Sequence, residues 1–551
     1  MRSDGQLSEL IKLVRQYSGL SLGRIISVAA LAGLSSTALI ALVNYSASLV
    51  AQKSSPSWAF FLFVPLLICY TVLLRINNRE SITATQTLTH RIRMRVMGEV
   101  LKTDLLTLQK IGPPHILTVL NRDTLTISQG ATMFVPTCQS IAMMLFSIAY
   151  LFFLSIPAGL VTLIFGLSVI IYFSRSFSAT HRMLTDAWAE EGQAADQISD
   201  FLSGFKEIKM NSNRAFDISG DIIASSRHVA DVKAKALVHL SNGFASIQVM
   251  IYVLVGATIF IVPMLASGFS SSVVAVTTTI LFIAGSLTGI VTSLPLLSVA
   301  NTAAEEVNRF MGELEQIKKS NVSGSEYIDP VVQKITVDNV AYRFVGKPGS
   351  TPFTLGPISC EFESGKVYFI RGGNGSGKTS FVRILTGLIA PDSGRILLNG
   401  IEVEGAYSQA YRDLFSTIYS DFHLFKKLYG MYDTTDEEVE VWMKKLELPE
   451  RIKFSNHAFS DLSLSTGQKK RIALIVSILE KRPIIILDEW ASDQDPEFRK
   501  FFYEKIIPEL RAMDKIVIAI THDDHYFHLA DHLLMIGQGK LQEVDKFGSP
   551  L

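Results

Sequence analysis

Cysteine is nearly absent from this chain: Cys69, Cys138 and Cys360 are its three, far apart, two of them in apolar runs. None has the spacing of a metal-ligand pair, so buried reduced thiols are the expected state. Net charge is missing as well. Lys and Arg together number 51, Asp and Glu number 51, and the formal charge is zero. A whole-chain electrostatic case for nucleic acid or acidic lipid therefore has no footing, and no nucleic-acid partner is expected. The first twenty or so residues are polar and amphipathic without an A-x-A-like cleavage site, which excludes a signal peptide as the reading. There is no internal repeat and no low-complexity tract. What the chain does have is length and apolarity. Its 551 residues leave room for more than one domain, and 48% of them are hydrophobic, with a mean hydropathy of +0.30.

Runs apolar enough to span lipid occur only before about residue 300, at 25–43, 58–74, 131–153, 158–173, 244–265 and 273–297. A spanning helix needs about 20 mostly apolar residues. One short run alone reads as a buried helix of a soluble core; six in one half of the chain do not. Between the second and third runs lie Arg75, Arg79, Arg91, Arg93, Arg95, Lys102, Lys110 and Arg122. Between the fourth and fifth lie Arg175, Arg182, Lys206, Lys209, Arg214, Arg227, Lys233 and Lys235, while the opposite loops hold essentially only Lys53. The positive-inside rule places both long loops, the N-terminus and the C-terminal half in the cytoplasm. Stretches 81–108 and 187–208 carry apolar residues at helical spacing and read as continuations of the spans. Gly112-Pro113-Pro114 is the expected break in the first. The turns near 111–120 and 200–210 are the expected points of contact with a cytoplasmic domain. Residues 1–316 thus read as a membrane domain, 317–333 as a Lys/Ser/Asn/Gly-rich linker, and 334–551 as an α/β domain with a mainly parallel sheet.

The C-terminal half carries the chemistry. Gly372-Gly373-Asn374-Gly375-Ser376-Gly377-Lys378-Thr379-Ser380 fits G-x-x-x-x-G-K-[ST], with a strand expected before it at 366–371 and a helix after it at 379–388. Its glycines let backbone N–H groups face phosphate oxygens, Lys378 is placed for the β/γ-phosphates, and the Thr379 hydroxyl for Mg²⁺. The apolar strand at 483–487 ends in Asp488-Glu489. A buried acid there is costly unless paired or metal-bound, so Asp488 is a Mg²⁺ ligand candidate and Glu489 a candidate to polarise the attacking water. Without the phosphate loop, two acids capping the next helix would explain them equally well. His522, at the end of the 515–520 strand, is a candidate γ-phosphate sensor. Leu464-Ser465-Thr466-Gly467-Gln468 precedes a helix whose N-terminus is suited to an anion.

Taken together and in this order, the motifs resemble the ABC ATPase family, whose LSGGQ signature differs at one position from residues 464–468. The resemblance runs from about residue 335 to the C-terminus. It implies that ATP and Mg²⁺ are the cofactors. It implies that Ser465, Gly467 and Gln468 complete the nucleotide site of an opposite subunit, hence a homodimer. Phe344, 28 residues before Gly372, takes the adenine-stacking place, with Tyr342 as the alternative, and Ser492-Asp493-Gln494-Asp495 takes that of the S-A-L-D loop. The whole chain, six transmembrane helices fused to an α/β P-loop ATPase, resembles an ABC exporter half-transporter.

Residues 415–425 and 487–503 resemble the bacterial cyclic-peptide exporter branch, which includes pyoverdine-type siderophore and syringomycin-type lipopeptide exporters. That resemblance implies a multi-pass protein in lipid of the bacterial inner membrane. It implies a peptide-type substrate and leaves room for periplasmic or outer-membrane efflux partners. One departure stands out: the family's loop glutamine is replaced by Ser420, followed by Asp421, and both are candidates near the metal. A lipid flippase would share every ATPase motif. A translation or DNA-repair ATPase would lack the spans, and import is disfavoured because importers usually split the two domains between chains. Asn44, Gln139, Gln248 and Thr277–Thr279 lie within spans; lining a polar cavity and bonding helix to helix are both open to them.

Overall fold

The computed structural model describes residues 8–17, 22–53, 55–265, 273–318, 331–344, 353–403 and 409–545. It forms two compact units, one of Met1–Leu101 with Ile111–Glu315, the other of Lys102–Lys110 with Gln316–Leu551. The expected linker falls largely outside the described residues.

In the first unit every apolar run is helical: Gly23–Ala51, Ser57–Leu101, Pro113–Leu154, Ile156–Ser203, Ser212–Phe260 and Val273–Glu315. Each helix outlasts its run except the fifth, which stops at Phe260 short of the expected 265, with Val262–Leu265 a separate turn of helix. The 49 residues of Ser212–Phe260 reach roughly 70 Å, against about 30 Å of hydrocarbon. The third and fourth spans meet in a one-residue turn. Ser155 is extended, its hydroxyl accepts from Ala158 N–H, and a proline occupies the start of the next helix, a conventional N-terminal cap. Ahead of the first span, Ser8–Tyr17 is an amphipathic helix. It buries Leu10, Leu13 and Val14, and its Glu9 and Leu10 amides donate to Asn301 Oδ1 at 3.1 and 3.0 Å.

The expected helix over 81–108 ends earlier, at Leu101. Asp104 starts a new short helix, Leu105–Ile111, by accepting 2.8 Å bonds from the Thr107 amide and hydroxyl. Gly112, at φ 81°, then makes a second corner, and the two prolines begin a helix rather than break one. The segment grouped with the ATPase unit is accordingly Lys102–Lys110, not the turn expected at 111–120. That later stretch is the start of the third span and contains a π-turn, Val119–Asp123.

Polar side chains stitch some spans and not others. Thr37 meets Ser147 at 3.3 Å, Asn44 meets Thr279 at 3.3 Å, Asn77 meets Gln139 at 3.2 Å, and Thr137 meets Ser293 at 2.7 Å. These bonds join spans one, two, three and six. The fourth and fifth helices meet through apolar groups within their apolar runs, Val169 and Phe173 against Ile247 and Ile251, and beyond those runs through Lys233 and Glu191 at 2.6 Å. For Asn44, Gln139 and Thr279, bonding helix to helix is therefore the role seen, whereas Gln248 and Thr278 are exposed. The thiols depart from expectation: Cys69 is exposed, and Cys138 and Cys360 are only partly covered.

The second unit holds two main sheets. The larger runs, in spatial order, Phe415–Ile418, Ile484–Asp488, Ile516–Ile520, Val367–Arg371, His532–Gly537 and Lys540–Val544. Its first five strands are parallel, and the last is antiparallel. Ile484–Asp488 and Ile516–Ile520 are buried at every position, as central parallel strands must be. A second, antiparallel sheet pairs Phe353–Glu363, Lys334–Phe344, Ser393–Leu398 and Ile401–Glu402; the sequence patterning had not announced it.

A close helix approach at a glycine of the membrane unit yields a test. A Cβ built on Gly130 would lie 2.1 Å from Ala300 Cβ and 3.1 Å from Leu296 O. Gly130→Val is expected to cost about 1–3 kcal/mol by overpacking, read as a lower melting temperature of the detergent-solubilised protein. Gly166→Val, at a site with nothing within 4 Å, is the control that should melt as wild type.

Candidate ATPase site

Parallel strands Val367–Arg371, Ile484–Asp488 and Ile516–Ile520 lie side by side, so their C-terminal ends deliver Gly372, Asp488 and His522 to one rim. Ligands of open α/β sheets bind outside that rim. The phosphate loop closes tightly there. A Cβ on Gly372 would meet Ile536 O at 2.3 Å. Gly377, at φ 105°, caps the helix Lys378–Leu385 and leaves no room for a side chain beneath Leu355 and Phe353. Asn374 and Gly375 stand exposed at the loop's crest, while Thr379 and Ser380 are half-buried in the first helical turn.

Lys378 is buried, 6% exposed. Its Nζ donates to Gly372 O at 2.9 Å and Gly373 O at 3.2 Å and lies 3.7 Å from Glu489 Oε1. Thr379 Oγ1 donates to Asp488 Oδ2 at 2.9 Å. Asp488 is wholly buried. Burial pushes its carboxyl up from the ordinary value, against the pull of the Thr379 hydroxyl and of the nearby Ser420 amide and hydroxyl. Even so, Asp488 Oδ1 has no hydrogen-bond partner among the described residues, and neither does the buried Ser376 Oγ. A buried acceptor left open beside a threonine hydroxyl fits Mg²⁺, which takes one or two protein oxygens and fills its remaining positions with phosphate and water. No cluster of three His, Cys, Asp or Glu side chains suited to a metal occurs among the described residues, in keeping with such a sparse protein contribution.

Glu489 follows at φ 52°, the left-handed region, with its amide on Ile520 O at 3.1 Å. The turn sends its side chain, 35% exposed, between Lys378 and His522, whose Nε2 lies 3.4 Å from Glu489 Oε1. Lys378, Thr379, Asp488, Glu489 and His522 thus form one constellation.

Ser420 and Asp421 part company. Ser420 lies beside Asp488, but the Asp421 side chain is 70% exposed and faces Arg383 Nη2 at 3.5 Å. The two residues lie in a turn just after the strand Phe415–Ile418, and of the pair it is Ser420 that is turned toward Asp488. Phe344 is partly buried, 6.0 Å from the ring of Phe353, and it is Phe353 that flanks Gly377. Ser465 caps the helix Thr466–Leu479 in a capping box with Gln468. Gly467 O accepts from Gln494 Nε2 at 3.0 Å. No hydrogen bond or ion pair among the described residues joins Ser465, Gly467 or Gln468 to the phosphate loop of the same chain.

Residues 355–492 match the family described as ABC transporter. The ATP-binding protein SyrD of Pseudomonas syringae pv. syringae is 32% identical over 526 residues, 92% of this chain and 91% of that protein. The chain belongs to the ABC transporter family. The ATP-dependent lipid A-core flippase of Aliivibrio fischeri is 27% identical over 244 residues, 42% of this chain and 41% of that one. A solved structure of a bacterial Atm1-family ABC exporter with ATP bound shares the fold, with TM-score 0.74 at 18% identity over 94% of both chains. The protein is an ATP-hydrolysing ABC exporter, multi-pass in the membrane, with its ATPase domain in the cytoplasm.

Sequence reading named Glu489 and residues 492–495 of this exporter but missed the cations that hold them. Arg471 lies 2.8 Å from Asp495 and 3.5 Å over the Phe498 ring. Arg499 bridges Asp523 at 3.1 Å and the carbonyls of Ser492 and Gln494. The basic triplet at 469–471 and the acids at 493 and 495 were the available signal. The split between Ser420 and Asp421 is testable by Mg²⁺ titration of ATPase activity. Asp421→Asn should leave the half-maximal Mg²⁺ concentration within about two-fold of wild type, whereas Asp488→Asn, removing the buried negative charge, should raise it at least about ten-fold.

Proposed function

We propose that this exporter moves a peptide-type natural product, such as a cyclic peptide, lipopeptide or siderophore precursor, out of the cytoplasm across the bacterial inner membrane. It works as a homodimer with ATP bound at composite sites, its membrane part formed by residues 1–316 and its ATPase part by 334–551. The observation that carries the ATPase half is the Glu489 carboxylate held between Lys378 at 3.7 Å and His522 at 3.4 Å, one residue beyond the open Asp488 acceptor.

The roles follow from that geometry. Lys378 exchanges its carbonyl partners for β/γ-phosphate oxygens, and the amides and hydroxyls from Asn374 to Ser380 hold the rest of the triphosphate. Thr379 and Asp488 would hold Mg²⁺, with Ser420 beside them, and the metal would supply positive charge against that developing on the phosphates. Glu489 orients and polarises the attacking water, and His522 meets the γ-phosphate from the opposite side. Phe344 and its aromatic neighbours offer the adenine a stacking surface. The helix behind Ser465 makes no hydrogen bond to its own phosphate loop among the described residues, which suits completion of a second copy's site.

The likeness to SyrD over nearly the whole chain, against less than half for the flippase, favours the peptide reading. The exposed stripe of the sixth span, where Thr278, Leu281, Gly285, Thr288 and Thr292 recur at helical spacing, mixes hydroxyl and apolar groups, as an amphipathic substrate would need. Glu489→Gln should cut steady-state hydrolysis at least about a hundred-fold while leaving ATP binding within a few-fold; hydrolysis near wild type sinks the assignment. In proteoliposomes, a cyclic lipopeptide should stimulate ATPase activity, and Gln248→Leu with Thr288→Val should remove the stimulation without changing the basal rate. Equal stimulation by lipid alone, with lipid crossing between leaflets, would establish the flippase instead. In mixed dimers of a Lys378→Ala and a Ser465→Ala copy, one composite site should stay intact and the other should carry both lesions; nucleotide trapping at two equivalent sites would remove the composite arrangement.

A further inference from the structure

A lysine is among the most deeply buried charged groups of the ATPase unit. Lys470, on the helix that follows the signature motif, is 3% exposed. All three donor directions of its ammonium are used. Nζ lies 2.6 Å from Glu489 O, 3.1 Å from Ser492 Oγ and 2.7 Å from Asp493 Oδ2. Burying an ammonium is costly unless it is paired and fully bonded, and here the bonding is complete. Two of the partners belong to the stretch just after Glu489, and the third is the carbonyl of Glu489 itself.

That carbonyl matters because Glu489 occupies the left-handed region at φ 52° without being glycine. Such a conformation persists only where the surroundings over-determine it. On one side the Glu489 amide is held by Ile520 O at 3.1 Å. On the other, its carbonyl accepts from Lys470 Nζ and, at 2.7 Å, from Ser492 Oγ. The side chain leaves the backbone between these two anchors, so its direction toward Lys378 and His522 depends on both.

We propose that Lys470 is a positioning residue for ATP hydrolysis: it donates to the Glu489 carbonyl, fixes the left-handed turn there, and so aims the Glu489 carboxylate. Because Lys470 belongs to the helix capped by Ser465, the signature helix and the carboxylate of one subunit move as a single piece. Asp493 supplies the counter-charge that makes burial of the ammonium tolerable; the donation to Glu489 is what hydrolysis needs. This rests on the role proposed for Glu489.

The test uses the full-length exporter reconstituted in lipid. Lys470→Met should lower kcat at least about ten-fold with KM for ATP within about two-fold, because a misaimed carboxylate slows the step without weakening nucleotide binding. Asp493→Asn, which keeps the donor, should hold kcat within about three-fold. Lys470→Met with Asp493→Ala leaves no stranded carboxylate yet still lacks the donor, so it should stay as slow as Lys470→Met; it carries the test alone if the single variant fails to fold. In a Glu489→Gln background, Lys470→Met should cause no further loss, as expected of two groups acting on one step. Recovery of kcat in the double neutral variant, or a normal kcat in Lys470→Met, overturns the proposal. Retained hydrolysis in Glu489→Gln alone overturns the Glu489 role itself, so the two fail separately.

Discussion

Two buried ionisable groups at the end of one parallel sheet, Lys378 and Asp488, govern the ATPase half. Both are almost wholly withdrawn from the surface, and an unpartnered charge in that position is costly. The structure meets the cost with backbone and hydroxyl: two glycine carbonyls for the lysine, the Thr379 hydroxyl for the aspartate. These are partners a triphosphate and its metal can replace. That explains why the loop holding the lysine is built from glycine, whose carbonyls approach where a Cβ on Gly372 would strike Ile536 O. It also explains the strand order. Val367–Arg371 and Ile484–Asp488 both flank Ile516–Ile520, so the lysine, the aspartate and the histidine reach one rim only if all three strands run the same way.

The bilayer imposes a different constraint on the other half. Helices that share lipid gain nothing from burying apolar surface against each other, so polar bonds and close backbone approach decide which helices stay together. The four polar pairs among spans one, two, three and six, with Gly130 against Ala300, make those helices the stitched part of the unit. Spans four and five meet them through apolar side chains such as Leu254 and Val276. Contacts of that kind slide more readily than hydrogen bonds break, so relative movement within the membrane unit is expected along the boundary of the four-five pair.

How much of this was legible in the sequence follows from how local each feature is. The phosphate loop, Asp488-Glu489 and the six spans are set by runs of neighbouring residues, and their signals survive without any knowledge of the fold. The place of the first cytoplasmic corner was not legible, because the decisive residue is Asp104, one side chain able to cap a helix, while the adjacent Gly-Pro-Pro run looked like the stronger break. Asp421 was misplaced for a related reason: proximity in sequence to Ser420 says nothing about which side of the strand's end it faces. The charges around residues 489–495 were invisible as a set, since Lys470 and Arg499 are brought together only by the sheet that carries Glu489.

The segment Lys102–Lys110 joins the packing of the antiparallel sheet. Leu106 packs on the same core as Tyr342, Phe344 and Phe353, and the Tyr342 hydroxyl, pushed up chiefly by burial, also feels the carboxylates of Asp392 and Asp104. Phe353 in turn stands over Gly377, the residue that caps the phosphate-binding helix. A chain segment that arises between two membrane helices therefore shares one packed cluster with the aromatic side chains beside the phosphate loop. Packed cores are stiff and pass displacement on rather than absorbing it. Leu106 thus belongs to the core of the ATPase unit although its neighbours in sequence belong to the membrane unit, and any shift of it must be accommodated by Tyr342 and Phe344.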